Sequence, residues 1–93
     1  MATSAKNISK DVIISNELGL HARSAAKIAQ IAQKAKAGVW IKKDNEAADA
    51  SSIVDILTLA CEKGSKITFV IENPADIDIL NALADLVESG FGE

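Results

Sequence analysis

Several residue types are scarce in this chain of 93 residues, and each shortage excludes a class of protein. The only cysteine, Cys61, excludes an intrachain disulfide, and one cysteine with one histidine cannot form an ordinary zinc site. Three aromatic residues, Trp40, Phe69 and Phe91, offer little surface for stacking on nucleic-acid bases. No apolar run approaches the roughly 20 residues of a membrane span, and no signal segment opens the chain. We therefore expect a cytoplasmic protein without metal or cofactor that binds neither nucleic acid nor membrane.

The remaining composition, 48% hydrophobic and 25% charged, is that of a globular protein. Its length fits a single domain, which we assign to residues 1–93 with residues 1–7 as a loose N-terminal extension. Residues 1–43 carry eight Lys and Arg against two acids, a net charge of +6, whereas residues 44–93 carry two against eleven, a net charge of −9. The basic half favours an anionic ligand or an acidic partner, although an alternation of charged faces would give the same counts.

Hydrophobic periodicity and turn residues predict seven elements in the order β-α-β-β-α-β-α. The predicted strands cover residues 10–15, 39–43, 46–50 and 65–72, and the predicted helices cover residues 22–37, 53–61 and 74–89. The Asp44-Asn45 turn makes the middle strands antiparallel. These elements indicate the α+β class, as a two-layer, open-faced sandwich with three helices on one face of a four-stranded sheet.

The second predicted helix is apolar along nearly its whole length. Ser52 is its predicted N-cap, and Asp55 three residues later gives a pattern like a capping box. A helix on a protein surface needs only one apolar stripe, so the excess requires an explanation. We interpret the helix as buried on all sides; an exposed contact surface is the alternative.

The only histidine, His21, falls between the first strand and the first helix. Gly19 permits a sharp turn before it. The first turn of a helix presents unpaired N–H groups and the positive end of the helix dipole, which together bind anions. Arg23 adds a fixed positive charge two residues later. Because a neutral imidazole is a competent nucleophile, this pattern predicts that His21 accepts and releases a phosphoryl group.

The stretch from Gly19 to Arg23, GLHAR in sequence, resembles the motif of HPr, the histidine-containing phosphocarrier family of the bacterial sugar phosphotransferase system. The pairs Ser52-Ile53 and Lys63-Gly64, the stretch Asn81-Ala82-Leu83 and residues 90–93 are similar as well. The resemblance covers about residues 8–93. It implies a four-stranded antiparallel sheet under three helices, and a covalent carrier rather than an independent catalyst.

By this resemblance, His21 accepts at Nδ1 a phosphoryl group from phospho-Enzyme I, with phosphoenolpyruvate as the ultimate donor. It then passes the group to Enzyme IIA in sugar uptake. Ala22, Arg23 and Ser24 are predicted to bind the phosphate, and Asn16 to orient the histidine. A shuttling carrier is expected to be a monomer. The alternative is a nitrogen-branch or regulatory HPr-like module that acts by protein binding.

Two positions require separate predictions. Ser24 stands where most members of the family have proline; we expect its amide or hydroxyl to bind the phosphate, and a paralogue with altered partners is the alternative. The resemblance also implies regulatory phosphorylation of Ser52 by an HPr serine kinase/phosphorylase, with a regulatory protein as a further partner. Ser51 and Asp55 depart from the family pattern around Ser52, and an acid so close would repel a second anion.

Overall fold

Four antiparallel strands form the sheet on which this fold is built. The computed structural model describes residues 8–93; residues 1–7, predicted to be a loose extension, lie outside the described part. The strands are β1 (Ile8–Ile13), β2 (Val39–Lys43), β3 (Glu46–Asp49) and β4 (Lys66–Ile71), in the spatial order β1-β4-β2-β3. The helices are α1 (Ala22–Ala32), α2 (Ile53–Leu57) and α3 (Ile77–Glu88). The predicted α+β class and element order are confirmed.

The strand register places apolar side chains on the sheet face that the helices cover. Ile67, Phe69 and Ile71 alternate along β4, and Val12 of β1 lies opposite Ile67 while Ile41 of β2 lies opposite Phe69. All five side chains are buried. The helices and the carboxyl-terminal turn complete the core with Ile28, Ile56, Leu80, Leu83, Val87 and Phe91. None of the helices within residues 8–93 is both long and apolar enough to cross a membrane.

Helix α1 ends at Ala32, although its alanine-rich sequence predicted helix through residue 37. The buried Asp76 carboxylate accepts hydrogen bonds from the backbone N–H groups of Lys36, at 2.9 Å, and Ala37, at 3.1 Å. These amides would otherwise continue the helical ladder. Tertiary contacts therefore override the high helix propensity of alanine at this end.

The start of α2 confirms the prediction, but its end does not. Ser52 is the N-cap, and its Oγ accepts a hydrogen bond from the N–H of Asp55 at 3.2 Å. The helix stops at Leu57 rather than at residue 61. Beyond it, Ala60 adopts a left-handed conformation with φ of 51°, and Lys43 Nζ donates to the Ala60 carbonyl at 3.1 Å. The lysine binds a carbonyl that an irregular chain leaves unpaired.

The predicted burial of α2 on all sides is wrong. Ile56 is its only buried residue, whereas Ile53, Val54 and Leu57 lie at the surface, Val54 with 72% of its area exposed. A helix of five residues reaches the core with one side, and its remaining apolar side chains face solvent. The alternative interpretation, an exposed apolar surface, is the one that the structure shows.

Other boundaries differ by smaller amounts. β1 begins and ends two residues earlier than predicted, yet the Ile14 N–H still donates to the Ser65 carbonyl at 2.9 Å. A 3₁₀ turn over Pro74–Asp76, capped by Asn73, precedes α3. Ile77, the first residue of α3, is exposed.

Candidate functional site

His21 is the N-cap of α1, and a reciprocal pair of hydrogen bonds fixes it there. Its backbone is extended, with φ of −133° and ψ of −177°. Its Nδ1 accepts the backbone N–H of Arg23 at 3.3 Å, while its own N–H donates to Ser24 Oγ at 2.9 Å. This is a capping box in which histidine takes the place usually held by Ser or Thr. The imidazole therefore lies over the first N–H groups of the helix.

The approach to His21 depends on a turn that only glycine fits. Gly19 has φ of +65°, and a Cβ added to it would lie 2.5 Å from the Cys61 carbonyl oxygen. That same carbonyl accepts the N–H of Leu20 at 2.9 Å. The Gly19 carbonyl accepts Asn16 Nδ2 at 2.9 Å, which ties the turn to the end of the preceding strand. His21 thus stands on a rigid corner rather than on a free loop.

A carboxylate that the sequence prediction missed, Glu93, lies against the imidazole. Glu93 Oε2 is 3.0 Å from His21 Nε2 and 3.4 Å from Arg23 Nη2, and Oε1 accepts Asn16 Nδ2 at 3.2 Å. Only 17% of the Glu93 side chain is exposed. Burial raises the pKa of this carboxyl, but the hydrogen bonds from Asn16, His21 and Arg23 outweigh it and hold the pKa below the ordinary 4.5.

The segment before Glu93 explains how a residue so distant in sequence reaches the site. Phe91 is buried, and it adopts φ of +61°, between two glycines that also have positive φ. Lys27, one turn into α1, donates from Nζ to the Phe91 carbonyl at 2.6 Å. The core contact and this hydrogen bond fold the segment back over the first turn of α1. No periodic pattern in the sequence marks such a turn, which is why the contact of Lys27 with this segment and the position of Glu93 were not predicted.

The hydrogen bonds around the ring determine which nitrogen carries the proton. Nδ1 of His21 accepts a backbone N–H, so it holds a free electron pair. Nε2 faces the ionised Glu93 carboxylate and therefore carries the hydrogen. The ring is 27% exposed and the neighbouring Arg23 side chain 66% exposed. The arrangement presents a nucleophilic nitrogen beside an exposed guanidinium and the positive end of a helix, which suits an anionic electrophile.

The remaining predicted residues occupy different places. Ala22 is the first residue of α1, beside His21. The Ser24 hydroxyl does not face the anion site, because it is fully buried and hydrogen-bonded inside the turn. Among the described residues Asn16 makes no hydrogen bond to the imidazole and is connected to it through Glu93; its buried Oδ1 has no hydrogen-bond partner there. Ser52 lies outside this network, at the start of α2.

The comparisons with known proteins agree with this geometry. Residues 8–89 match the family described as "PTS HPr component phosphorylation site". The chain is 34% identical to the phosphocarrier protein HPr of Neisseria meningitidis over 86 residues, which cover 92% of this chain and 97% of that protein. It is also 34% identical to the phosphocarrier protein NPr of Klebsiella oxytoca, over 92% of this chain and 97% of that protein.

Solved structures give the same result. The HPr-C-His crystal structure from Thermoanaerobacter tengcongensis superposes with a TM-score of 0.86 at 37% identity, covering 92% of this chain and 97% of that one. The relatives that match this chain are phosphocarrier proteins, so its class is that of phosphoryl carriers rather than independent catalysts. The chain belongs to the HPr family of the phosphotransferase system.

Proposed function

We propose that His21 accepts a phosphoryl group at Nδ1 from phospho-Enzyme I and passes it to Enzyme IIA in sugar uptake. This proposal rests on the different surroundings of the two ring nitrogens. Nε2 is hydrogen-bonded to Glu93, whereas Nδ1 faces the backbone amides of α1. The Nδ1 electron pair forms the new N–P bond as the donor's bond to phosphorus breaks. Transfer to Enzyme IIA reverses these roles, and Nδ1 becomes the leaving group.

The groups around Nδ1 suit a phosphoryl group that is both stabilised and transferable. The N–H of Arg23, now 3.3 Å from Nδ1, is placed to bind a phosphoryl oxygen instead. We propose that the amides of Ala22 and Ser24 face the same anion, since all three belong to the first turn of α1. The Arg23 guanidinium is mostly exposed and, at 3.4 Å, only weakly held by Glu93. It can therefore turn from the carboxylate to the phosphate.

The Glu93 carboxylate has two opposing effects in this scheme. It orients the imidazole and keeps the proton on Nε2, which leaves Nδ1 nucleophilic. Once Nδ1 is phosphorylated, the same negative charge repels the phosphoryl group. Asn16 acts on the histidine through Glu93 rather than directly, because its Nδ2 bridges Oε1 and the Gly19 carbonyl. Together these contacts favour a group that is neither retained nor lost too readily.

The exposed side of α2 is the surface that we propose for both protein partners. Ile53, Val54 and Leu57 expose apolar area, and α2 packs directly against α1, which carries His21 at its start. Exposed apolar side chains gathered on one face are typical of protein interfaces. The positive charge of the half of the chain that contains His21 fits acidic partner surfaces. We expect the carrier to work as a cytoplasmic monomer.

A second candidate is service in the nitrogen branch, or regulation by protein binding alone. The observation that favours it is that the Klebsiella oxytoca protein NPr matches this chain as well as the Neisseria meningitidis HPr does, at 34% identity in both cases. The site would be used in the same way. The candidates differ in which Enzyme I phosphorylates the chain, so parallel assays with a sugar-branch and a nitrogen-branch Enzyme I separate them.

We propose separately that Ser52 is phosphorylated for regulation. An HPr serine kinase/phosphorylase would add the phosphate, and a regulatory protein would bind the phosphorylated form. Its support is position: the Ser52 hydroxyl caps α2 directly beside the exposed Ile53 and Val54, so a phosphate there would alter the proposed docking surface. The carboxylates of Asp49 and Asp55 lie within three residues and oppose a second anion. Incubation with the kinase and ATP, with Ser52→Ala as the control, tests it.

The carrier function is tested by incubating the chain with Enzyme I and phosphoenolpyruvate and then measuring its intact mass. We expect one added phosphate that is lost in acid, as phosphohistidine is, and that is absent in His21→Ala. A Ser52→Ala variant is expected to retain the acid-labile phosphate, which places the modification on the histidine. If the chain stays unmodified while a control HPr is phosphorylated in the same tube, the proposal is wrong.

A further inference from the structure

The buried hydroxyl of Ser24 lies within hydrogen-bond distance of three backbone groups around His21, and these contacts bear on the transfer reaction. Its Oγ accepts the His21 backbone N–H at 2.9 Å and lies 3.1 Å from the His21 carbonyl and 3.3 Å from the Gly19 carbonyl. No part of Ser24 is exposed. One hydroxyl therefore connects both backbone groups of the histidine with the turn that precedes it.

We infer that Ser24 is a positioning residue that aligns His21 Nδ1 for phosphoryl transfer, and that its side chain does not bind the phosphate. This inference rests on the proposed carrier function. The imidazole direction follows from the extended backbone of His21, and that backbone is fixed on one side by Ser24 Oγ. Without the hydroxyl, the His21 N–H has no acceptor and the ring is held only by its outer contacts to Glu93 and Arg23.

The alignment affects reactivity because the reacting atoms must be held near their attack geometry. The 3.3 Å bond from Arg23 N–H to Nδ1 is long, so it does not fix the ring by itself. The capping bond through Ser24 is shorter and shielded from water. Residues with hydroxyls near an anion site are usually interpreted as ligands, but burial and three backbone contacts assign this one to the support of the histidine.

The test compares Ser24→Ala with Ser65→Ala. Ser65 makes the same kind of bond elsewhere, since its Oγ accepts the N–H of Glu62, three residues earlier, at 3.1 Å. Loss of either hydroxyl removes one hydrogen bond to the backbone N–H three residues earlier in the chain. Only Ser24→Ala should slow phosphorylation by Enzyme I, by about fivefold, the equivalent of one hydrogen bond. Ser24→Thr, which retains the hydroxyl, should recover at least half of the lost rate.

A second readout does not depend on phosphorylation. In ¹⁵N-labelled protein above neutral pH, the Nδ1 and Nε2 resonances of His21 should be well separated, as expected for one fixed tautomer. In Ser24→Ala they should move toward each other, and the His21 amide should exchange faster with solvent; Ser65→Ala should change neither. If Ser24→Ala matches Ser65→Ala in rate and spectra, or a folded Ser24→Thr remains as slow as Ser24→Ala, the inference is wrong. If wild type is not phosphorylated, the carrier proposal fails instead, while the spectra still test Ser24.

Discussion

The turns that begin α1 and α2 both place a side chain as the helix N-cap, but they differ in the residues that surround the cap. At each corner a side chain caps a helix, His21 for α1 and Ser52 for α2. The α1 corner heads an eleven-residue helix and brings Arg23 and Glu93 beside a partly exposed ring. The α2 corner heads five residues, has acids as its charged neighbours, and exposes an apolar side. The start of a helix therefore does not determine the chemistry of a site by itself. That chemistry depends on which residues from other parts of the chain lie beside it.

Removing the cation from the α1 corner should have the largest effect on this difference. Arg23→Ala is expected to slow phosphorylation of His21 by about 10- to 100-fold, since a charge-assisted hydrogen bond to the phosphoryl group contributes about 1.5–3 kcal/mol. Lys34→Ala removes an equal charge from an exposed position beyond α1 and serves as the control. Single-turnover phosphorylation by Enzyme I measures both. Equal rates for the two variants would mean that Arg23 acts only through net charge.

The apolar side of the α2 corner is tested by a charge placed on it. Val54→Asp should weaken the apparent affinity for Enzyme I by about tenfold, because one apolar contact at the centre of an interface is replaced by a charge that must be desolvated. Ile13→Asp places the same charge on an apolar residue, 51% exposed, on the open face of the sheet, away from α2. Its affinity for Enzyme I should stay close to that of wild type. A larger loss for Ile13→Asp would locate the docking surface on the sheet.

The pH dependence of stability tests the Glu93 contact. Because the pKa of Glu93 is lowered in the folded state, its contribution is complete above the ordinary value of 4.5 and is lost as the pH falls through the lowered value. Wild type should therefore be more stable than Glu93→Gln at pH 7, and the two should converge as the pH falls below the lowered pKa of Glu93. Urea unfolding midpoints across this range provide the measurement. A difference that persists unchanged at low pH would show that the carboxylate charge is not involved.

The smallest effect on the phosphorylation rate is expected for Ser24→Pro, which replaces one constraint on the first turn of α1 by another. Ser24→Pro removes the hydroxyl bond to His21 and the Ser24 N–H that we propose faces the phosphate, but it fixes the first helical turn through the proline ring. The phosphorylation rate should remain within about threefold of wild type, while the His21 amide loses its protection from solvent exchange. Stopped reactions with Enzyme I and amide exchange by NMR report the two properties. A large gain in rate would contradict an equivalent role for serine.

Local sequence patterns predicted the elements and the position of His21 at the start of α1. The period-two pattern of Ile67, Phe69 and Ile71 and the cap at Ser52 are local features, and the structure reproduces them. The end of α1 was missed because the Asp76 carboxylate, which captures Lys36 and Ala37, is distant in sequence. Glu93 was missed for the same reason.

Partner contacts cannot be read from a residue's type alone. Either the amide or the hydroxyl of Ser24 was predicted to bind the phosphate, and only the folded turn shows the three backbone contacts of the hydroxyl. The apolar sequence of α2 did not distinguish a buried helix from an exposed docking surface, because both require apolar residues. Because α2 is only five residues long, its apolar side chains lie at the surface. That length depends on Lys43 and on the left-handed Ala60 beyond the helix.

We expect Nδ1 of His21 to carry the phosphoryl group while Nε2 remains toward Glu93. NMR of ¹⁵N-labelled protein phosphorylated by Enzyme I tests it directly, because ³¹P coupling identifies the nitrogen that is bonded to phosphorus. We predict coupling to Nδ1, together with shifts of the Arg23 and Ser24 amide resonances and none at Ser52. Coupling to Nε2, or a phosphate bound to any other residue, would contradict the account.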